Sequence, residues 1–172
     1  MSLTETLTQT PSQTIGPFFA PALGWHDGNL VVPVAYPNAF WVRGLVLDGA
    51  GDPIPDALVE TWQAGLNEAG FGRSATDGGG GFAIHTVKPP AVADAAGAAQ
   101  APHLDVSVFA RGLLKRAVTR IYFVDEPDND TDPLLARLDL ERRATLMAER
   151  AVDGYRFDIR LQGERETVFL EL

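Results

Sequence analysis

The sequence contains no cysteine among its 172 residues. This absence excludes a disulfide framework, a thiolate nucleophile and a zinc–thiolate site. Histidine and tyrosine are scarce, with three residues each, so few imidazole or phenolate ligands are available. The sequence also lacks an apolar run of membrane-spanning length and a signal-peptide pattern at residues 1–11. We therefore expect a cytoplasmic protein without a membrane partner.

Basic residues are few, with 14 Lys and Arg against 23 Asp and Glu and a net charge of -9. Binding to nucleic acid depends on basic patches, so no nucleic-acid partner is expected. The same negative charge repels carboxylated ligands. Any site for such a ligand needs local arginines to overcome the overall field.

The length and a hydrophobic content of 45% are typical of a single folded domain. Short apolar or alternating segments punctuated by Gly and Pro predict strands at 41–48, 57–64, 71–76, 81–87, 103–110, 118–124, 156–161 and 167–172. The pattern favours an all-β fold, an antiparallel β-sandwich with short helices and long loops.

Several connections are also predicted from composition. The glycines after Asp77 predict a hairpin turn that joins the strands at 71–76 and 81–87. Residues 88–101 are rich in Ala, Gly and Pro and predict a loop. Residues 134–150 have the apolar spacing of a short, interrupted helix. Residues 1–17, with Thr, Ser, Gln and two prolines, predict an extended arm, followed by one domain at 18–172.

The strand predicted at 103–110 carries a His-x-Asp pair. Residues two apart in a strand face the same side, so His103 and Asp105 lie together. This arrangement resembles one arm of an iron site in which the second imidazole is a carboxylate.

Four blocks of sequence, at 10–19, 59–64, 102–112 and 155–160, resemble the intradiol ring-cleavage dioxygenases in the same order. The resemblance covers nearly the whole chain. Within this family, the chain is most similar to the type of subunit that does not bind iron.

The resemblance implies a ferric site made by two tyrosinates and two histidines. His103 occupies the position of the first histidine, but Asp105 replaces the second, and no tyrosine occurs in residues 64–73 or 89–101. His103 and Asp105 are therefore expected to form a vestigial site with no metal. The resemblance places the Fe(III) in a homologous beta subunit, with which the chain forms a hetero-oligomer of alpha-beta pairs.

The same resemblance assigns no catalytic residue to this chain, but four substrate contacts in the partner's pocket: Thr14, Gly16, Pro17 and Arg111. These residue types suit the role, because Gly permits close backbone approach, Pro rigidifies it, and Arg can orient a carboxylate.

The function implied is O2-dependent intradiol cleavage of 3,4-dihydroxybenzoate to 3-carboxy-cis,cis-muconate, a step of aromatic catabolism. A self-sufficient intradiol enzyme is disfavoured by the incomplete ligand set. The alternative from another class is a non-catalytic, transthyretin-like sandwich that acts as a binding module.

Overall fold

Eleven β-strands and the short α-helix at Leu140–Ala144 form the framework of the residues that the computed structural model describes, 22–66 and 70–171. The predicted arm at 1–17, with Thr14, Gly16 and Pro17, lies outside the described residues. The first strands are β1 (Phe40–Leu47), β2 (Leu58–Gln63), β3 (Gly70–Ala75), β4 (Gly81–Thr86), β5 (Val92–Ala93) and β6 (Ala99–Gln100). The others are β7 (His103–Phe109), β8 (Ala117–Phe123), β9 (Met147–Ala151), β10 (Gly154–Arg156) and β11 (Ile159–Arg160).

The strands form two layers that share one strand. One layer contains β4, β1, β10 and β9, and the other contains β3, β2, β7, β8 and β9. Most pairs are antiparallel, but β1 pairs in parallel with β10 and β11, and β8 pairs in parallel with β9. The all-β sandwich expected from the sequence is confirmed, with these parallel pairs as an addition.

The core lies between the layers and receives every second residue of the central strands. In β7 the side chains of Leu104, Val106 and Val108 are buried, whereas Asp105 is exposed. Val42 and Ile84 contribute from the other layer. This alternation explains why β7 is stable as a strand and why it presents Asp105 away from the core.

Gly44 lies at a point where the chain after β10 crosses β1 very closely. A Cβ atom at this position would lie 1.6 Å from the carbonyl oxygen of Phe157. The Phe157 N–H donates to the Arg43 carbonyl (2.8 Å), and the Leu45 N–H donates to the carboxylate of Asp158 (3.0 Å). Only glycine allows this approach of two backbones.

The predicted hairpin around Asp77 is wrong in its pairing. The chain does reverse there, with the Asp77 carboxylate accepting from Gly79 and Gly81 at 2.8 Å each. However, β3 pairs with β2 and β4 pairs with β1. The turn therefore carries the chain from one layer to the other, and local turn chemistry does not specify which strand each arm joins.

The predicted helix at 134–150 is much shorter in the structure. A 3-10 helix covers Leu135–Arg137, and the helix α1 covers only Leu140–Ala144, with the Asp139 side chain accepting from the Arg142 N–H at its start. The chain then enters β9 instead, because pairing with β8 buries Leu146 and Ala148.

Three further segments differ from the sequence predictions. The predicted loop at 88–101 contains the small β5–β6 pair. The strand predicted at 156–161 is interrupted between β10 and β11, and the segment 167–171 is not a strand. No helix in the described part of the chain is long and apolar enough to cross a membrane.

Candidate functional site

His103 begins β7 and is almost fully buried, at 7% exposure. Its Nδ1 donates to the carbonyl oxygen of Ala101 at 2.7 Å, and its Nε2 lies 3.7 Å from Oδ1 of Asp105. The second distance is too long for a hydrogen bond. The structure therefore brings the two predicted residues together without a direct bond between them.

Arg120 on β8 is the group that joins this pair to its surroundings. The register of β7 and β8 places Arg120 opposite Asp105 and Tyr122 opposite His103. The Nε of Arg120 donates to Oδ1 of Asp105 at 3.0 Å, and its Nη1 donates to the Tyr122 hydroxyl at 3.2 Å. With a side-chain exposure of 16%, the guanidinium is fixed between the two acceptors.

Asp132 is completely buried and accepts hydrogen bonds from the residues that surround this network. Its carboxylate accepts from the backbone N–H groups of Ala101 (2.9 Å), Leu134 (2.9 Å) and Leu135 (3.0 Å). The Tyr122 hydroxyl donates to the same carboxylate at 3.3 Å. Asp132 thus fixes the backbone that precedes His103 and the phenol that faces Arg120.

The protonation states follow from burial. Burial raises the pKa of Tyr122 to about 12, although the Arg120 guanidinium opposes this shift. Burial also lowers the pKa of His103, and the positive charge of Arg120 lowers it further. Near neutral pH the pocket therefore contains a neutral phenol and a neutral imidazole beside one ion pair.

The residues present do not fit a ferric ion. Asp105 and Tyr122 are already hydrogen-bonded to a guanidinium, which would repel a second cation at the same atoms. The adjoining cavity is only about 80 Å³ and is bounded by His103, Asp105 and Arg120 together with residues such as Pro90. Small-molecule sites are typically roughly 300 to 1,000 Å³, so the cavity is also too small for an aromatic substrate.

Across residues 22–66 and 70–171, the structure contains no group of three or more His, Asp or Glu side chains placed to hold a metal ion.

Arg111, the other described site residue, lies far from this pocket. It lies in the turn two residues beyond Phe109, at the opposite end of β7, and the strand itself spans roughly 20 Å from His103 to Phe109. Its Nε pairs with Oδ2 of Asp56 at 3.0 Å, and its side chain is 65% exposed. The structure thus separates Arg111 from His103 and Asp105.

Arg120, Tyr122 and Asp132 are members of the network that sequence reasoning did not single out. A signal for two of them was available, since Arg120 and Tyr122 alternate on one face of a predicted strand that follows the His103 strand after a short connection. The position of Asp132 depends on the path of an irregular segment and has no such signal.

Comparison with known proteins agrees with the fold. No family model matches the sequence. The chain is 42% identical to the protocatechuate 3,4-dioxygenase alpha chain of Burkholderia cepacia, over 97% of this chain and 99% of that protein. The chain belongs to the protocatechuate 3,4-dioxygenase alpha-chain family.

More distant relatives of this alpha-chain family member include a beta chain and a further dioxygenase domain. The protocatechuate 3,4-dioxygenase beta chain of Burkholderia cepacia is 31% identical over 73% of this chain and 65% of that protein. Among solved structures, the dioxygenase domain of a dioxygenase–carbohydrate-binding protein fusion from Streptomyces sp. SirexAA-E is 27% identical, with a TM-score of 0.62 and coverage of 91% and 99%. These relationships do not favour a transthyretin-like binding module.

Proposed function

We propose that this chain is the alpha subunit of a protocatechuate 3,4-dioxygenase, active only with a homologous beta subunit that holds Fe(III). The observation that carries this proposal is the 42% identity to an alpha chain along essentially the whole length of both proteins. The pocket around His103 supports a location of the iron outside this chain, because Arg120 already donates to the oxygens of Asp105 and Tyr122 that a metal would need. A cytoplasmic location is part of the same proposal.

The reaction proposed is the cleavage of 3,4-dihydroxybenzoate between its two hydroxyl-bearing carbons, with both atoms of O2 incorporated into 3-carboxy-cis,cis-muconate. Fe(III) held by the beta subunit would supply Lewis-acid chemistry for the diphenol substrate. This chain would contribute walls that exclude water and groups that orient the substrate.

Two parts of the chain are proposed to reach the partner's pocket. The first is the arm with Thr14, Gly16 and Pro17. The second is Arg111, whose exposed guanidinium is paired only at its Nε with Asp56 in the described structure. Because the chain carries a net charge of -9, such a local cation is needed to attract a carboxylated ring.

The proposal is tested by purifying this chain alone, a beta chain alone and the two together. We expect the two chains to co-elute as a complex and to consume O2 with 3,4-dihydroxybenzoate, and we expect this chain alone to show neither bound iron nor O2 uptake. Stoichiometric iron, its tyrosinate absorption and ring cleavage in this chain alone would overturn the assignment.

Arg111→Ala should reduce kcat/KM for 3,4-dihydroxybenzoate in the assembled enzyme by about tenfold or more, because a charge-assisted contact to the carboxylate is lost. The iron content and the folding of this chain should not change, since Arg111 is exposed. The matched control is Arg116→Ala, an exposed arginine in the same connection between β7 and β8. Equal kinetics for Arg111→Ala and the control would remove Arg111 from the substrate site.

A further inference from the structure

Two potential metal ligands accept hydrogen bonds from the guanidinium of Arg120, and a third lies beside one of them. The first two are Oδ1 of Asp105, which accepts from Nε, and the hydroxyl of Tyr122, which accepts from Nη1. The third is Nε2 of His103, which lies 3.7 Å from Oδ1 of Asp105. Because Nδ1 of His103 donates to the Ala101 carbonyl, a neutral ring keeps a lone pair on Nε2. Imidazole, carboxylate and phenolate groups are all donors for transition metals.

The guanidinium is a permanent positive charge in the place that such a metal would need. Arginine keeps its charge in proteins, and its planar group offers several donors to neighbouring oxygens. We propose that Arg120 is an internal cation that replaces a metal ion and closes the His103–Asp105–Tyr122 site to metals. Removing its side chain opens the site to a divalent transition metal.

The donors are held in place by groups other than Arg120. Ala101 orients the imidazole, and Asp132 accepts from the Tyr122 hydroxyl and also fixes the backbone of Ala101. Loss of the arginine side chain would enlarge the cavity of about 80 Å³ that already adjoins these residues. The three donors would then have no cation beside them, although the carboxylate of Asp105 favours one.

The test uses the isolated full-length chain and Co2+, whose visible absorption reports coordination. We expect Arg120→Ala to bind Co2+ about tenfold or more tightly than the wild type, because the like charge is removed. Adding His103→Asn to Arg120→Ala should abolish the gain. The matched control is Arg43→Ala, which removes an arginine paired with Asp153 at 2.9 Å outside the pocket.

Two outcomes would contradict the proposal. One is Co2+ binding by Arg120→Ala no tighter than that of the wild type, and the other is a gain that His103→Asn leaves unchanged. If Arg120→Ala does not fold, Arg120→Ser removes the charge, keeps a polar group and leaves the space open, so it carries the same expectation.

Hydrogen exchange of the folded wild-type chain provides a second test. The Nε proton of Arg120 should exchange with solvent about tenfold or more slowly than that of Arg43, because Arg120 is the more buried of the two paired arginines. Asp105→Ala should remove this protection, because alanine offers no acceptor to Nε. Unchanged exchange in Asp105→Ala would refute the fixed ion pair. All of these contacts lie within this chain. A negative result here would leave the proposed partnership with the beta subunit intact, and failure of that partnership would leave these contacts intact.

Discussion

Asp132→Ala should lower the free energy of unfolding by about 3 to 5 kcal/mol, since the substitution leaves buried hydrogen-bond donors without an acceptor. Three backbone N–H groups depend on this carboxylate, those of Ala101, Leu134 and Leu135, and the Tyr122 hydroxyl shares it. Urea-induced unfolding of the isolated chain measures the loss. The Ala101 segment should also loosen, which would displace His103.

The matched control is Asp130→Ala, two residues away in the same irregular segment. Asp130 is 86% exposed and forms an ion pair with Arg143 at 3.0 Å. Loss of an exposed pair should change the free energy of unfolding by less than about 1 kcal/mol. Similar unfolding curves for the Asp132 and Asp130 variants would show that the buried carboxylate is not the support described here.

Gly44→Ala should destabilise the chain by about 3 kcal/mol or more, at the upper end of the range for overpacking, because the obstacle is backbone rather than a movable side chain. The added methyl group would lie 1.6 Å from the Phe157 carbonyl oxygen and 2.6 Å from its carbon. Separating the two backbones would break the bond from the Phe157 N–H to Arg43. Chemical unfolding, with circular dichroism as the signal, measures the effect.

Gly78→Ala provides the control for this substitution. The site has no heavy atom within 4 Å of an added Cβ and no left-handed backbone angle. Its free energy of unfolding should therefore stay within about 1 kcal/mol of the wild type. A Gly44 variant as stable as the Gly78 variant would mean that β1 and Phe157 can separate at little cost.

Much of the fold follows from local sequence pattern. The central strands were predicted because alternation marks one buried face, as in β7 with Leu104, Val106 and Val108. The pairing around Asp77 and the strand β9 were not predicted. Both depend on which distant strand offers an unpaired edge and an apolar surface, and apolar spacing alone does not distinguish β9 from a helix.

The sequence predicted part of the site as well. The nearness of His103 and Asp105 followed from strand geometry, whereas their role beside Arg120 depends on the register between β7 and β8. The network through Asp132 links segments that are separated by irregular chain, so no periodic signal marks it. The contacts assigned to Thr14, Gly16, Pro17 and Arg111 remain predictions for the assembled enzyme.

The strand β9 has a consequence for how the molecule comes apart. Its first residues pair with β8, and its last residues pair with β10. This one strand therefore joins the two sheets by backbone hydrogen bonds, and the sheets cannot separate until those bonds break. The domain should therefore unfold in one cooperative step. A chain truncated before Met147 would leave β8 without its partner β9 and β1 without its partner β10.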